Sequence, residues 1–80
     1  MTREQFAQFL YGYAKYKNRT AAKTNDLLSF QDNPSGWAED AVKWAVGNEI
    51  MNGKGEGVLD PQGTATRAEI AQMVMKYKEL

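Results

Sequence analysis

Apolar residues recur at steps of three and four positions near the beginning of the chain, which is the period of an amphipathic helix. Between Arg3 and about Lys17 the large apolar side chains fall on one stripe, made up of Phe6, Phe9, Leu10, Tyr13 and Tyr16. Lys15 suits the negative end of the helix dipole, and Asn18 is a suitable left-handed residue to end the helix. The pattern predicts a first helix whose aromatic stripe is typical of a core or a subunit contact.

A second helical pattern runs from about Trp37 to Val46 and is apolar around most of its circumference, with Ser35 as its expected N-cap. Its narrow polar strip consists of Glu39, Asp40 and Lys43. A helix of this kind is typical of the centre of a fold, where neighbours cover it on more than one side.

The stretch from Asn48 to Ala65 contains Gly53, Gly55, Gly57 and Gly63 and predicts a glycine-rich loop, with a turn beginning at Asp60-Pro61. A third helix is expected from Arg67 to about Glu79, burying Ile70, Met73, Val74 and Tyr77. Together the patterns predict an all-α fold: a small helical repeat module of three main helices with an ordered glycine-rich loop.

Two of these helices begin with nearly the same residues, Thr2-Arg3-Glu4-Gln5 and Thr66-Arg67-Ala68-Glu69. In each, the threonine can accept a hydrogen bond from the third helical amide while Gln5 or Glu69 bonds back to the threonine amide. The arginine faces the positive end of the helix dipole, where a cation is unfavourable. One interpretation is that free amides and a guanidinium form an anion site at each start. The other is a solvated arginine, or one paired with a neighbouring carboxylate.

The formal net charge of the 80 residues is zero, but the charges are unevenly spread. The first quarter is basic, with Arg3, Lys15, Lys17, Arg19 and Lys23, and the middle of the chain is acidic. This balance disfavours nucleic-acid binding, which needs a net basic surface, and favours head-to-tail contacts between repeats or subunits. No apolar run is long enough to span a bilayer. Because the chain begins directly at a helix cap, we expect it to be a piece of a longer protein.

Catalysis is not indicated by the residue types present. Cysteine and histidine are both absent, which excludes disulfides, thiolate nucleophiles, histidine acid/base chemistry and the usual zinc sites. The glycine-rich loop fits neither a calcium loop nor a phosphate loop, since Lys54 and Gly63 stand where oxygen ligands belong and no Lys-Ser/Thr pair follows Gly57. We therefore expect a protein that is not an enzyme and uses no cofactor or metal.

An ordered set of short motifs resembles the S-layer homology domain. The motifs are Phe30-x-Asp32, Trp37-Ala38, Ala41-Val42, Ala45, Ile50-x-x-Gly53, Leu59-x-Pro61 and Thr66-Arg67-Ala68-Glu69. On this resemblance, residues 30–80 form a complete repeat, residues 18–29 a connector, and residues 1–17 the closing helix of a preceding repeat. The sequence departs from the family pattern at Glu49, where glycine is usual, at Ala65, where an aliphatic residue is usual, and at Glu4-Gln5, where Ala-Glu is usual.

The resemblance implies a non-catalytic anchor on the outside of a bacterium, at the cell wall or S-layer. Such domains bind secondary cell-wall polymers, often with pyruvate ketals, in grooves between three copies arranged about a pseudo-threefold axis. It further implies that Arg67 contacts the anionic group and that Arg3 does so in a neighbouring groove. Asp32 would bond a sugar hydroxyl or cap a turn, Trp37 would stack on a sugar or join the core, and Gly53 would allow close backbone approach or make a turn. Thr66, Glu69, Thr2 and Gln5 would support the helix starts.

A structural alternative remains beside this one. The chain could be a protein-interaction repeat that has no glycan affinity and uses its arginines for packing between repeats. Because stacked repeats need neighbours to cover their faces, we expect one and a half copies to self-associate, with a trimer as the form that would imitate the family's three copies.

Overall fold

The computed structural model describes residues 1–18, 24–28, 30–53, 55 and 57–79. These residues form three α-helices, α1 (Arg3–Tyr16), α2 (Glu39–Gly47) and α3 (Arg67–Lys78), and one turn of 3-10 helix at Gly36–Ala38. Within the described ranges there is no strand, only isolated β-bridges. The fold is therefore all-α, and the prediction of three main helices is confirmed.

Some of the expectations fall on residues outside the described ranges. They include half of the connector and, with it, Arg19 and Lys23 of the basic first quarter. Lys54 and Glu56 of the glycine-containing loop are also outside. The order of the whole loop therefore stays a prediction, whereas its expected turn is present, with the Gly63 amide donating to the Asp60 carbonyl at 3.1 Å.

Helices α1 and α3 begin with the reciprocal caps expected from the sequence. The Gln5 amide donates to Thr2 Oγ1 at 3.2 Å while Gln5 Oε1 accepts from the Thr2 amide at 2.8 Å. Thr66 and Glu69 make the same pair of bonds at 3.1 and 2.8 Å. Helix α1 ends as predicted, because Asn18 adopts a left-handed conformation with φ of 56°.

The prediction that α2 begins at Trp37 with Ser35 as its cap is wrong. Ser35 makes no side-chain capping bond, and a 3-10 turn precedes the α-helix, which begins at Glu39. The reason lies in a distant contact, since the Ser35 hydroxyl donates to the Glu4 carboxylate at 2.8 Å. The Ser35 side chain is thus oriented toward Glu4, and its oxygen accepts from no amide of the turn.

Helix α2 lies in the middle of the core, as its apolar circumference predicted. Trp44 packs between the other two helices, with its ring centroid 5.3 Å from that of Tyr11 on α1 and 6.3 Å from that of Tyr77 on α3. The largest fully buried side chains around it are Val42, Ile50, Met51 and Leu59. The loop that follows α2 therefore supplies much of the core.

The aromatic stripe of α1 is only partly covered. Phe6 and Leu10 are buried, whereas Phe9 is 62% exposed and Tyr13 and Tyr16 are also exposed. A groove of about 310 Å³ lies between this exposed part of α1 and the end of α3. On α3, Met73 and Tyr77 are buried as expected, but Ile70 and Val74 are only partly buried.

Candidate functional site

The start of α1 is fixed to the loop that precedes α3. Thr2 forms a β-bridge with Thr64, and the amides of Arg3 and Glu4 donate to the carbonyls of Gly63 and Pro61 at 2.9 and 2.8 Å. The next amide, that of Gln5, is capped by Thr2. The expectation that this helix start offers free amides to an anion is therefore wrong, because protein oxygens already occupy them.

The guanidinium of Arg3 is buried and lies inside the fold. Only 4% of the residue is exposed, and its two terminal nitrogens donate to the carbonyls of Leu59 and Asn52. Its Nε lies 3.7 Å from Glu69 Oε2 of α3 and makes no hydrogen bond. Arg3 is thus not a solvated arginine: it connects α1, the loop over residues 52–59 and the start of α3.

Glu4 is a second buried charged residue and was not among the candidate site residues expected from the sequence. It is 3% exposed, and its carboxylate accepts from the Ser35 amide and hydroxyl, both at 2.8 Å, and from Gln62 Nε2 at 3.3 Å. A signal was present in the sequence, since Glu4 stands where the family pattern usually has alanine.

Asp32 holds the turn that carries Leu59 and Asp60. Its two carboxylate oxygens accept from the amides of Leu59 and Asp60 at 2.9 and 2.8 Å. The Leu59 amide is the main cause that holds the pKa of Asp32 below its usual value, with the Asp60 amide and the positive charge of Arg3 acting in the same direction against partial burial. This geometry corresponds to the turn-capping interpretation, and a sugar contact at Asp32 stays a prediction.

A cleft of about 170 Å³ opens beside Arg3, between the loop after α2 and α3. Among its lining residues are Arg3, Asn52, Gly53, Glu69 and Gln72. The structure therefore brings three of the expected site residues, Arg3, Gly53 and Glu69, to one cleft. Trp37, Asp32 and Arg67 are not among the residues that line it.

Gly53 is required by a close contact within the protein. A Cβ atom at this position would lie 2.7 Å from Cε1 of Phe30 and 3.0 Å from the Val58 carbonyl oxygen. The close approach expected at Gly53 is thus made by the ring of Phe30. Whether a ligand also approaches there stays a prediction.

Arg67 and Trp37 are exposed, unlike Arg3. Arg67 lies at the first position of α3, and no hydrogen bond or ion pair joins its side chain to another described residue. No described acceptor takes the amides of Arg67 and Ala68 either. Trp37 is 59% exposed on the 3-10 turn, so its interpretation as a core residue is wrong and its indole face is available.

Comparison with protein families places these features in context. The family model of the S-layer homology domain matches residues 30–71, just over half of the chain. The chain belongs to the S-layer homology domain family. Domains of this family are non-catalytic modules that bind cell-wall polymers and anchor proteins at the cell surface. Comparison with curated proteins and with solved structures gave no match.

The S-layer homology match includes Asp32, Trp37, Gly53 and the helix start Thr66-Arg67-Ala68-Glu69. It leaves out α1, so the roles of Thr2, Arg3 and Gln5 and the boundaries of a preceding repeat stay predictions. Among the helices of the described ranges, none has the length and apolar character needed to cross a membrane.

Proposed function

We propose that this S-layer homology domain is a binding module without catalytic activity that attaches its protein to an anionic, pyruvylated secondary cell-wall polymer outside the bacterium. Arg67 is the main contact to the ketal carboxylate. The observation that carries the proposal is the exposed Arg67 guanidinium at the start of α3, next to two amides without a described acceptor. A carboxylate there would gain charge-assisted hydrogen bonds and a favourable interaction with the helix dipole.

Two further features support a sugar polymer as the ligand. The exposed indole of Trp37 offers a flat apolar face on which a pyranose ring can stack. The cleft beside Arg3 offers the polar groups of Asn52 and Gln72 to sugar hydroxyls. Arg3 contributes positive charge to this cleft, although its terminal nitrogens bond to backbone carbonyls.

Co-sedimentation with polymer-bearing wall sacculi tests the proposal. Arg67→Ala removes charge-assisted hydrogen bonds, each of which contributes about 1.5–3 kcal/mol, so we expect the apparent affinity to fall roughly tenfold or more. Arg67→Lys retains the charge but not the bidentate geometry and should give an intermediate loss. Lys15→Ala, which removes an exposed cation from α1, is the matched control and should sediment like the parent.

Sacculi stripped of their pyruvate ketals test whether binding depends on the ketal carboxylate. Parent protein should sediment poorly with them, and free pyruvylated sugar should compete with intact sacculi. If folded Arg67→Ala protein sediments as well as the parent, Arg67 is not the carboxylate receptor.

The second candidate function, an interaction repeat without glycan affinity, is favoured by one specific observation. The arginine of the first Thr-Arg motif, Arg3, uses both terminal nitrogens for backbone carbonyls of the folded unit. An interaction repeat without glycan affinity would retain its contacts with other repeats in high salt and in the presence of pyruvylated sugar. The exposed Phe9, Tyr13 and Tyr16 support self-association, with a trimer as the proposed form. A clean monomer in light scattering would count against that form.

A further inference from the structure

The loop after α2 contains Asn52 followed by Gly53, the sole asparagine–glycine pair of the sequence. In such a pair the backbone nitrogen of the glycine can attack the asparagine side chain, because glycine has no Cβ atom to hinder the approach. Both residues are exposed, and Asn52 lines the cleft beside Arg3. No described residue hydrogen-bonds the Asn52 side chain or accepts from the Gly53 amide. Neither reacting group is therefore tied to another part of the described chain.

The guanidinium of Arg3 bonds the peptide group that joins these two residues. Its Nη2 donates to the Asn52 carbonyl, and the nitrogen of the same peptide group is that of Gly53. When this nitrogen loses its proton, much of the negative charge moves to the carbonyl oxygen. A fixed cation at the oxygen stabilises the anion, and its effect is large because Arg3 is buried and little water screens it. The Gly53 nitrogen should therefore ionise more readily here than in a free peptide.

We infer that Asn52 is a site of spontaneous deamidation and that the folded protein promotes the reaction. Hydroxide removes the proton of the Gly53 nitrogen, which then forms a bond to Cγ of Asn52. The bond between Cγ and the side-chain nitrogen breaks, and that nitrogen takes a proton from water and leaves as ammonia. Water then opens the five-membered imide at either carbonyl, which gives aspartate or isoaspartate at position 52. No step involves a glycan, so failure of the inference would leave the polymer proposal intact.

Either product changes the cleft beside Arg3. The new carboxylate adds one negative charge to a chain whose formal net charge is zero, in a cleft that Glu69 also lines. Isoaspartate in addition lengthens the main chain by one carbon atom just before Gly53. The Phe30 ring lies so close to Gly53 that even a Cβ atom would be 2.7 Å from it, so the longer chain has little room there. We expect the isoaspartate form to have a thermal midpoint lower by about 4 °C or more.

Mass spectrometry of aged protein tests the inference. Tryptic digestion releases Asn52 and Asn48 together in one peptide, residues 44–54, so Asn48 is an internal reference. We expect Asn52 to convert faster in the folded chain than in a synthetic peptide of residues 44–54 kept in the same buffer. Asn48, whose side chain donates to the Trp44 carbonyl at 2.8 Å, should stay intact. An equal or slower conversion of Asn52 in the folded chain would overturn the inference.

Variants of Arg3 separate the effect of its guanidinium from the lability of the dipeptide itself. Arg3→Ala removes the donor and should slow the conversion of Asn52 about tenfold. Lys15→Ala removes an exposed cation of α1 and should convert at the rate of the parent. If circular dichroism shows that Arg3→Ala is unfolded, Arg3→Lys takes its place, since a lysine cannot reproduce the two-carbonyl contact. A folded Arg3 variant that converts as fast as the parent would show that Arg3 does not promote the reaction.

Thermal unfolding of the separated products tests the consequence for the loop. Ion exchange isolates the isoaspartate form from aged protein, and Asn52→Asp is its matched control, because it carries the new charge without the longer main chain. The isoaspartate form should melt below Asn52→Asp. Equal thermal midpoints of the two would contradict the expected loosening of the loop.

Discussion

The end of helix α2 contains a strained residue whose replacement should stabilise the protein. The Glu49 amide donates to the Val46 carbonyl at 3.1 Å, and the Ile50 amide donates to the Ala45 carbonyl at 2.8 Å. These two bonds form a Schellman motif, which places the residue after the C-cap in the left-handed region and usually has glycine there. In this chain Glu49 takes that position, with φ of 62°.

The expected change in the free energy of unfolding is the difference between two opposing costs. A non-glycine residue in the left-handed conformation costs about 1–2 kcal/mol, whereas glycine loses about 0.5–1 kcal/mol more conformational entropy on folding. Glu49→Gly should therefore raise the free energy of unfolding by about 0.5–1 kcal/mol. For a domain of this size, that corresponds to an increase in Tm of about 2–8 °C.

Thermal and urea unfolding at one fixed protein concentration measure the effect. Glu49→Ala is the first control, because it removes the exposed side chain but keeps the Cβ atom and should give no comparable gain. Asn18→Gly is the second, since Asn18 is also left-handed but asparagine tolerates that region, so its gain should be smaller. If Glu49→Gly is no more stable than Glu49→Ala, backbone strain at Glu49 is not the reason.

Two further substitutions test how the loop after α2 is held. Asp32→Asn should lower the free energy of unfolding by about 1–3 kcal/mol, because an amide group cannot accept from both Leu59 and Asp60. The pKa of Asp32 is lowered in the folded protein, so its stabilising effect is fully present above the unfolded pKa of about 4 and is lost as the pH falls through the folded pKa. Urea unfolding across acidic pH should show this loss in the parent and a smaller one in Asp32→Asn. Gly53→Ala should cost about 1–3 kcal/mol because its Cβ would lie 2.7 Å from the Phe30 ring, whereas Gly12→Ala in α1, where no atom lies within 4 Å, should gain about 0.5–1 kcal/mol. Equal effects of the two alanines in thermal unfolding would contradict the packing argument at Gly53.

The helices could be predicted from the sequence because their signals are local. The apolar period, the threonine caps and the left-handed Asn18 each act over a few residues, and the structure places α1 and α3 within a residue or two of the expected bounds. The glycine that the family pattern usually has in place of Glu49 is a local signal of the same kind. It marks the conformation that the end of α2 imposes on the backbone.

The contacts of the candidate site could not be predicted in this way. Ser35 has the residue type and position of an N-cap, but its hydroxyl bonds Glu4, which is far away along the chain. The same holds for Arg3, whose partners Asn52 and Leu59 become neighbours only when α1 docks. Local propensity at these positions is outweighed by tertiary contacts, and no local spacing rule contains that information.

The difference between Arg3 and Arg67 shows that the Thr-Arg motif does not by itself define a ligand site. Both arginines follow a capping threonine, yet one is buried against carbonyls and the other is exposed. What distinguishes them is that the loop after α2 covers Arg3, whereas Arg67 lies on an open part of α3. The Arg3 guanidinium is buried and donates from both terminal nitrogens to carbonyls, so little of it is accessible to a ketal carboxylate. The carboxylate-receptor proposal therefore rests on Arg67, which is exposed, and not on Arg3.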